Sequence, residues 1–166
     1  MDFFNQTGKL AIGSRLRMLT DKITVDAAAI YKMFGVDLKP KWFPVFFVLS
    51  RGEAKTITSI AKEIGHSHPS VSNIIKEMVA KGLVKETKDK SDGRRNMVML
   101  SAKGKRMSDS FSEQCIDVTA AIEQITQKTR NDLWEAIEEW ENLLLDKSLL
   151  ERVKLSLIHI SEPTRR

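Results

Sequence analysis

The sequence ITSIAKEIGHSHPSVSNII, from Ile57 to Ile75, decides the fold of this 166-residue chain. Its first half repeats apolar residues at helical spacing. Its second half opens with Ser67 and Pro69, which suit the cap and the first turn of a new helix. Gly65 lies between the halves and can take the left-handed backbone conformation that ends a helix. The stretch therefore predicts two short helices joined by a tight turn.

The second of these helices, which we expect to end near Lys81, has one apolar and one polar face. Its polar side carries hydrogen-bonding and basic groups, which are Ser67, His68, Ser70, Ser72, Asn73 and Lys76. Such groups can contact the base edges and phosphates of a DNA duplex. The pattern therefore indicates a helix that binds double-stranded DNA.

A charged β-hairpin is predicted directly after this helix. The strands are Leu83 to Lys88 and Asn96 to Leu100, and the residues between them read DKSDGRR. Asp, Ser and Gly at this density favour a hairpin tip. Lys88 and Lys90 are candidates for phosphate contact, and an ordinary solvated hairpin is the alternative interpretation of both lysines.

The runs IAKEIGHSHPSVSNII, KGLV, DKSDGRR and LSAKG occur here in the order typical of the MarR family of bacterial winged-helix regulators, which the chain resembles over residues 7–150. The resemblance implies that the second helix enters the major groove and that Arg94 reaches the adjacent minor groove. It also implies that Asp92 helps to hold that arginine. Arg95 adds a further basic contact in the same hairpin.

Charge is divided unevenly along the chain, which carries a net charge of +5. Residues 1–106 contain 20 basic and 10 acidic residues, whereas residues 107–166 contain 7 and 12. The predicted reader, residues 56–100, lies in the basic part, as phosphate attraction requires.

Long amphipathic helices are predicted on both sides of the reader, one over residues 7–34 before it and two, over about residues 102–128 and 130–150, after it. Their apolar stripes include Ile12, Leu16, Leu19, Ile137, Trp140 and Leu144. A second copy of the chain would bury these stripes, so we expect a homodimer with this interface. Packing within one chain is the alternative. The expected fold is therefore mainly α-helical, a winged helix-turn-helix flanked by dimerisation helices.

The most apolar stretch follows Pro40 and contains Trp42, Phe43 and Phe46. These aromatic side chains are candidates for a pocket that binds a small-molecule effector. The alternative, that they form the hub of the core, is the simpler interpretation.

Other chemistry is excluded or disfavoured by the sequence. His66 and His68 lack the neighbours that a metal site needs, and Cys115 lies in an apolar helical stripe with acidic neighbours, which favours a structural over a redox role. No catalytic constellation, cofactor motif or apolar run of membrane-spanning length occurs. We therefore expect a cytoplasmic protein that is not an enzyme and needs no metal or cofactor.

The end of the chain, residues 155–166, equals the translation of a transposase sequencing adaptor and has no clear helical or strand pattern. We expect residues 1–154 to be the natural domain and the remainder to be a non-native tail.

The expected function is sequence-specific binding to a pseudo-palindromic operator as a homodimer, with release by a small molecule. The N-terminal half also resembles longer proteins in which this module is fused to an acetyltransferase, so a truncated bifunctional regulator is an alternative. A winged helix used for protein association is a third.

Overall fold

The structure, a computed structural model, describes residues 2–88 and 96–161. Its helices are α1 (Asp2–Thr7), α2 (Ile12–Met33), α3 (Phe43–Ser50), α4 (Ile57–Glu63), α5 (His68–Ala80), α6 (Ala102–Thr126), α7 (Leu133–Asp146) and α8 (Leu149–Ser161). Short 3-10 turns cover Gly8–Ala11 and Pro40–Trp42. The strands are β1 (Lys55–Thr56), β2 (Val84–Lys88) and β3 (Asn96–Leu100). The expectation of a mainly helical winged helix is confirmed.

The chain divides into two compact units, residues 1–116 and 117–166, and the division falls within α6. The first unit contains the three-stranded antiparallel sheet, in the order β1-β3-β2. Val84 pairs with Leu100 and Lys88 pairs with Asn96, so β2 and β3 form the two arms of the predicted hairpin. Strand β1 was not predicted because two residues are too few to show an alternating pattern.

The core of the first unit is built around α3, whose residues are almost all apolar. Its fully buried side chains come from all the surrounding elements and include Trp42, Phe46, Leu49, Ile60, Ile75, Met78, Leu83, Val98 and Phe111. The rings of Phe46 and Phe111 pack edge to face with centroids 4.8 Å apart. Because the buried side chains of α4, α5 and the hairpin all belong to this one apolar core, the core fixes the orientation of these three elements.

Helix α2 begins later than expected. A single helix from Thr7 was predicted, but Gly8 has a φ of +54° and a 3-10 turn separates α1 from α2. The left-handed conformation at a glycine interrupts a right-handed helix.

The apolar stripe of α2 is exposed within this chain. Ile12, Leu16 and Leu19 each retain 40 to 43% of their accessible surface. A dimer interface at this stripe, and its alternative of packing within one chain, both stay predictions.

The second unit also exposes an apolar face. Helix α7 has no buried residue, and Ile137, Trp140 and Leu144 are 40 to 53% exposed. Asp132 caps this helix by accepting hydrogen bonds from the backbone N–H groups of Trp134 and Glu135.

The last segment differs from the expectation. A single helix to Leu150 was predicted, with no regular structure after Lys154. In the structure α7 ends at Asp146, and a new helix, α8, follows Ser148 and continues to Ser161. The cause is a capping box, in which Ser148 N–H donates to the Glu151 carboxylate and the Ser148 hydroxyl accepts from Glu151 N–H. Whether residues 155–166 are non-native stays an open prediction. No helix in the described ranges combines the length and apolarity needed to cross a bilayer.

Candidate nucleic-acid interface

The turn between α4 and α5 forms as the sequence predicted. Gly65 has a φ of +67°, and His66 N–H donates to the carbonyl of Ala61 at 3.0 Å. The Ser67 hydroxyl accepts from Ser70 N–H at 3.4 Å. A ring nitrogen of His66, Nδ1, lies 2.8 Å from the carbonyl oxygen of Ile64, so this histidine is engaged with the turn itself.

Helix α5 presents the predicted row of polar side chains to solvent. Val71, Ile74, Ile75 and Met78 anchor its opposite face in the core. The side chains of Ser67, His68, Ser70, Asn73 and Lys76 are exposed, and Ser72 is half-buried. The structure thus brings these six candidates together on one helix, within reach of one bound surface.

Two grooves lie on either side of α5. The groove that we name the lysine groove has a volume of about 310 Å³, and Lys41, His66, Ser70, Asn73 and Glu77 contribute its polar lining. The second, which we name the threonine groove, has a volume of about 550 Å³ and is lined by Thr56, Ile57, Thr58, His68 and Asn96. A helix flanked by two concave surfaces can lie in a major groove with one sugar-phosphate backbone on each side.

The threonine groove contains two candidate contact residues that the sequence analysis missed. Thr58 and Asn96 are both exposed there, beside His68. Thr56 sets their geometry, because its hydroxyl caps α4 by accepting from Ser59 N–H at 3.1 Å and its backbone pairs with β3. The capping threonine at position 56 could have been used to predict where α4 begins. The position of Asn96 beside Thr58 could not, because it depends on the pairing of β1 with β3, which are far apart in the sequence.

The hairpin carries Lys88 as an exposed residue at the end of β2. Its pairing with Asn96 places both ends of the hairpin tip next to each other. The predicted contacts of Lys90, Arg94 and Arg95, and the supporting role of Asp92, lie outside the described residues.

Glu77 joins α5 to the segment before α3, and its partners were not foreseen from the sequence. One carboxylate oxygen, Oε1, accepts from Lys41 Nζ at 2.6 Å, and the other, Oε2, accepts from Trp42 Nε1 at 3.0 Å. Lys39 Nζ lies 3.3 Å from Oε2. Hydrogen bonds from Lys41 and then Trp42 lower the pKa of Glu77 from 4.5 to about 2.

The predicted effector residues occupy different environments. Trp42 and Phe46 are buried to 1% and 0% exposure, so the core interpretation holds for these two side chains in the described structure. Phe43 stays 39% exposed at the edge of the core, with its ring centroid 5.8 Å from that of Phe111. An effector site at this edge stays a prediction.

Cys115 and Tyr31 both have raised pKa values in the structure. Burial raises the pKa of the Cys115 thiol, which makes its thiolate scarcer at neutral pH. Burial and the neighbouring Cys115 raise the pKa of Tyr31 to about 12. Among the described residues, His, Cys, Asp and Glu form no group of three that could hold a metal ion.

Comparison with known proteins gives a family match over part of the chain. A model of the MarR family matches residues 36–95, a range that includes α3, α4, α5 and β2. No curated protein sequence matches the chain.

Several solved structures share the fold. The transcriptional repressor CouR, bound to a 23-mer DNA duplex, aligns with a TM-score of 0.62 at 20% identity, over 84% of this chain and 96% of that one. The PcaV transcriptional regulator of Streptomyces coelicolor, in complex with its natural ligand, gives 0.61 at 13% identity, over 82% and 92%. The heme sensor protein PefR of Streptococcus agalactiae, in complex with heme, gives 0.59 at 16% identity, over 83% and 95%. The chain therefore has the winged-helix fold of these regulators, and residues 36–95 match the sequence pattern of the MarR family.

Proposed function

We propose that the protein is a MarR-family transcriptional regulator that binds double-stranded DNA in a sequence-specific manner. The observation that carries this proposal is the exposed hydrogen-bonding row of α5, standing between two grooves in the basic part of the chain. Side chains such as Ser70 and Asn73 can discriminate base edges in the major groove. CouR, which has the same fold, was solved on a DNA duplex.

The proposed contacts divide by chemistry. Lys76 and Lys88 attract phosphates, while Ser67, His68, Ser70, Ser72 and Asn73 contact bases or position the helix against them. From the family resemblance, Arg94 enters the minor groove, Asp92 orients it, and Lys90 and Arg95 add charge. Thr58 and Asn96 extend the contact surface on the side of the threonine groove.

A homodimer is proposed as the DNA-binding form. Each unit exposes an apolar face, on α2 in the first and on α7 in the second, and a second chain would remove both faces from water. Two copies of α5 separated by one turn of DNA, about 34 to 36 Å, would then bind the halves of a pseudo-palindromic operator.

A small-molecule effector is proposed as the release signal, in a protein that is cytoplasmic and has no catalytic role of its own. PcaV was solved with its natural ligand and PefR with heme, so this fold accommodates ligands. In this chain the aromatic edge at Phe43 is the proposed location. A ligand that binds better to a dimer whose α5 spacing does not fit the operator would release DNA.

Selection of bound fragments from a random-sequence duplex pool tests the proposal. Purified protein should enrich an inverted repeat, with half-site centres about 10 base pairs apart. Recovery of unrelated sequences that bind no better than the starting pool would remove sequence specificity from the account.

A further inference from the structure

Glu77 is placed where it influences DNA binding without needing to touch a base. It follows Asn73 by four residues and Ser70 by seven, so the three side chains share one face of α5. All three line the lysine groove together with Lys41. A charge change at Glu77 therefore acts on the surface that presents Ser70 and Asn73.

The carboxylate has two separate tasks at this position. Trp42 is 1% exposed, and its indole N–H is a donor that must be paired when buried. The Glu77 carboxylate supplies that acceptor at 3.0 Å and so attaches the third turn of α5 to the core. A neutral amide oxygen at the same place can accept the same bond.

The second task requires the charge. Lys41 and Lys39 approach the carboxylate at 2.6 and 3.3 Å, and the ammonium of Lys39 also lies 4.9 Å from the centroid of the Trp42 ring. Their own side chains remain 55% and 54% exposed, so phosphates can approach both ammonium groups. A phosphate that enters the lysine groove must compete with Glu77 for these cations and is repelled by the carboxylate.

We propose that Glu77 is a specificity-determining residue that keeps Lys41 and Lys39 paired within the protein and thereby limits sequence-independent attraction to phosphate. The inference rests on the proposed DNA-binding function. Specificity is the difference between the affinities for two DNA sequences. A residue that weakens the attraction to phosphate, which is the same for every sequence, leaves base contacts with a larger share of the binding free energy.

The test compares the wild type with Glu77→Gln, which keeps an acceptor for Trp42 and removes the charge. The probes are two fluorescent duplexes, one carrying the sequence enriched by selection and one with that sequence scrambled, titrated between about 50 and 200 mM KCl. For the scrambled duplex we expect Glu77→Gln to bind at least about threefold tighter at low salt, with a salt slope steeper by about 0.9 for each added phosphate contact. The ratio of enriched to scrambled affinity should fall.

A double-mutant cycle separates pairing from a general effect of charge. Lys41→Gln should flatten the salt slope more in the Glu77→Gln background than in the wild type, because only there is the ammonium released. Glu86→Gln, which removes an exposed carboxylate from β2, is the matched control and should show no such coupling with Lys41. Thermal unfolding of each variant verifies that it is folded at the temperature of the titrations.

The outcomes are distinct. If the wild type binds neither duplex at low salt, the proposed function fails and this inference fails with it. If the wild type binds but Glu77→Gln leaves the slope and the ratio unchanged, or if Lys41→Gln has equal effects in both backgrounds, only the role of Glu77 is overturned. If Glu77→Gln does not fold, Lys41→Gln and Lys76→Ala are compared in the wild-type background. A paired Lys41 should affect the salt slope less than Lys76 does, so equal effects would overturn the role of Glu77.

Discussion

At the scale of single residues, Glu77 also links stability to acidity. Its pKa falls from 4.5 to about 2 on folding, through hydrogen bonds from Lys41 and Trp42. A depressed carboxyl pKa stabilises the folded state above pH 4.5, and this contribution is lost as the pH falls toward about 2. The Glu77 side chain keeps 37% of its surface exposed, so solvent screens these interactions and the effect on stability is modest.

We therefore expect the stability difference between wild type and Glu77→Gln to be constant near neutral pH and to shrink on acidification. Urea unfolding at about pH 6 and about pH 3 measures it, with Glu86→Gln as the control for loss of a charge. A difference that stays the same at both pH values would mean that the carboxylate is not held in its charged form by these partners.

Arg94 carries the prediction taken from the family resemblance. Arg94→Ala should weaken binding to the enriched duplex by about 1 to 3 kcal/mol, because it removes a minor-groove contact, and should leave the oligomeric state unchanged. Gel-shift titration and size-exclusion chromatography measure the two effects. Unchanged affinity would remove the hairpin tip from the proposed interface.

Some features of the candidate site could be predicted from the sequence and others could not. The exposure of Ser70, Asn73 and Lys76 follows from helical periodicity, because their neighbours on the opposite face are apolar. The partners of Glu77 lie 35 to 38 residues earlier in the chain, so no local pattern could reveal them. The contact residues Thr58 and Asn96 were missed for the same reason.

Among the secondary-structure elements, the helices of the reader, residues 56–100, were predicted accurately because capping residues and glycines mark their ends. The ends of α4 and α5 fall within a residue or so of their predicted positions. Gly65 and Gly82 follow the two helices with positive φ angles, and Ser67 caps the start of α5. The break at Ser148 was missed because Glu151 was not recognised as the second half of a capping box. The predicted acetyltransferase fusion and the non-native origin of the tail stay untested predictions.

The junction between the hairpin and α6 gives a sharp test of element packing. A Cβ at Gly104 would overlap the carbonyl oxygen of Leu83, which itself accepts from Ser101 N–H at 2.9 Å. Gly104→Ala should therefore destabilise the protein by about 1 to 3 kcal/mol although alanine favours helices. Gly13→Ala, in α2 with open space around its Cα, is the control and should not destabilise. Equal melting temperatures for both variants would show that α6 does not approach the Leu83 carbonyl this closely.

At the scale of the whole molecule, the apolar faces of the two units predict self-association. Leu16→Glu should shift the protein toward monomer, because it places a charge in the proposed interface on α2. Sedimentation velocity at several concentrations measures this shift. Val25→Glu is the matched control, since Val25 lies on the same helix, is 70% exposed and falls outside the stripe. A wild-type protein that sediments as a monomer at micromolar concentration would contradict the dimer.

The basic first part of the chain is proposed to bind a duplex through α5 and the hairpin. The most direct measurement is the affinity of the wild type and of Lys76→Ala for the enriched duplex at several salt concentrations. We predict a linear fall of log affinity with log salt for the wild type, and a slope shallower by about one for Lys76→Ala. Absence of binding at low salt, or an affinity that does not change with salt, would contradict the account.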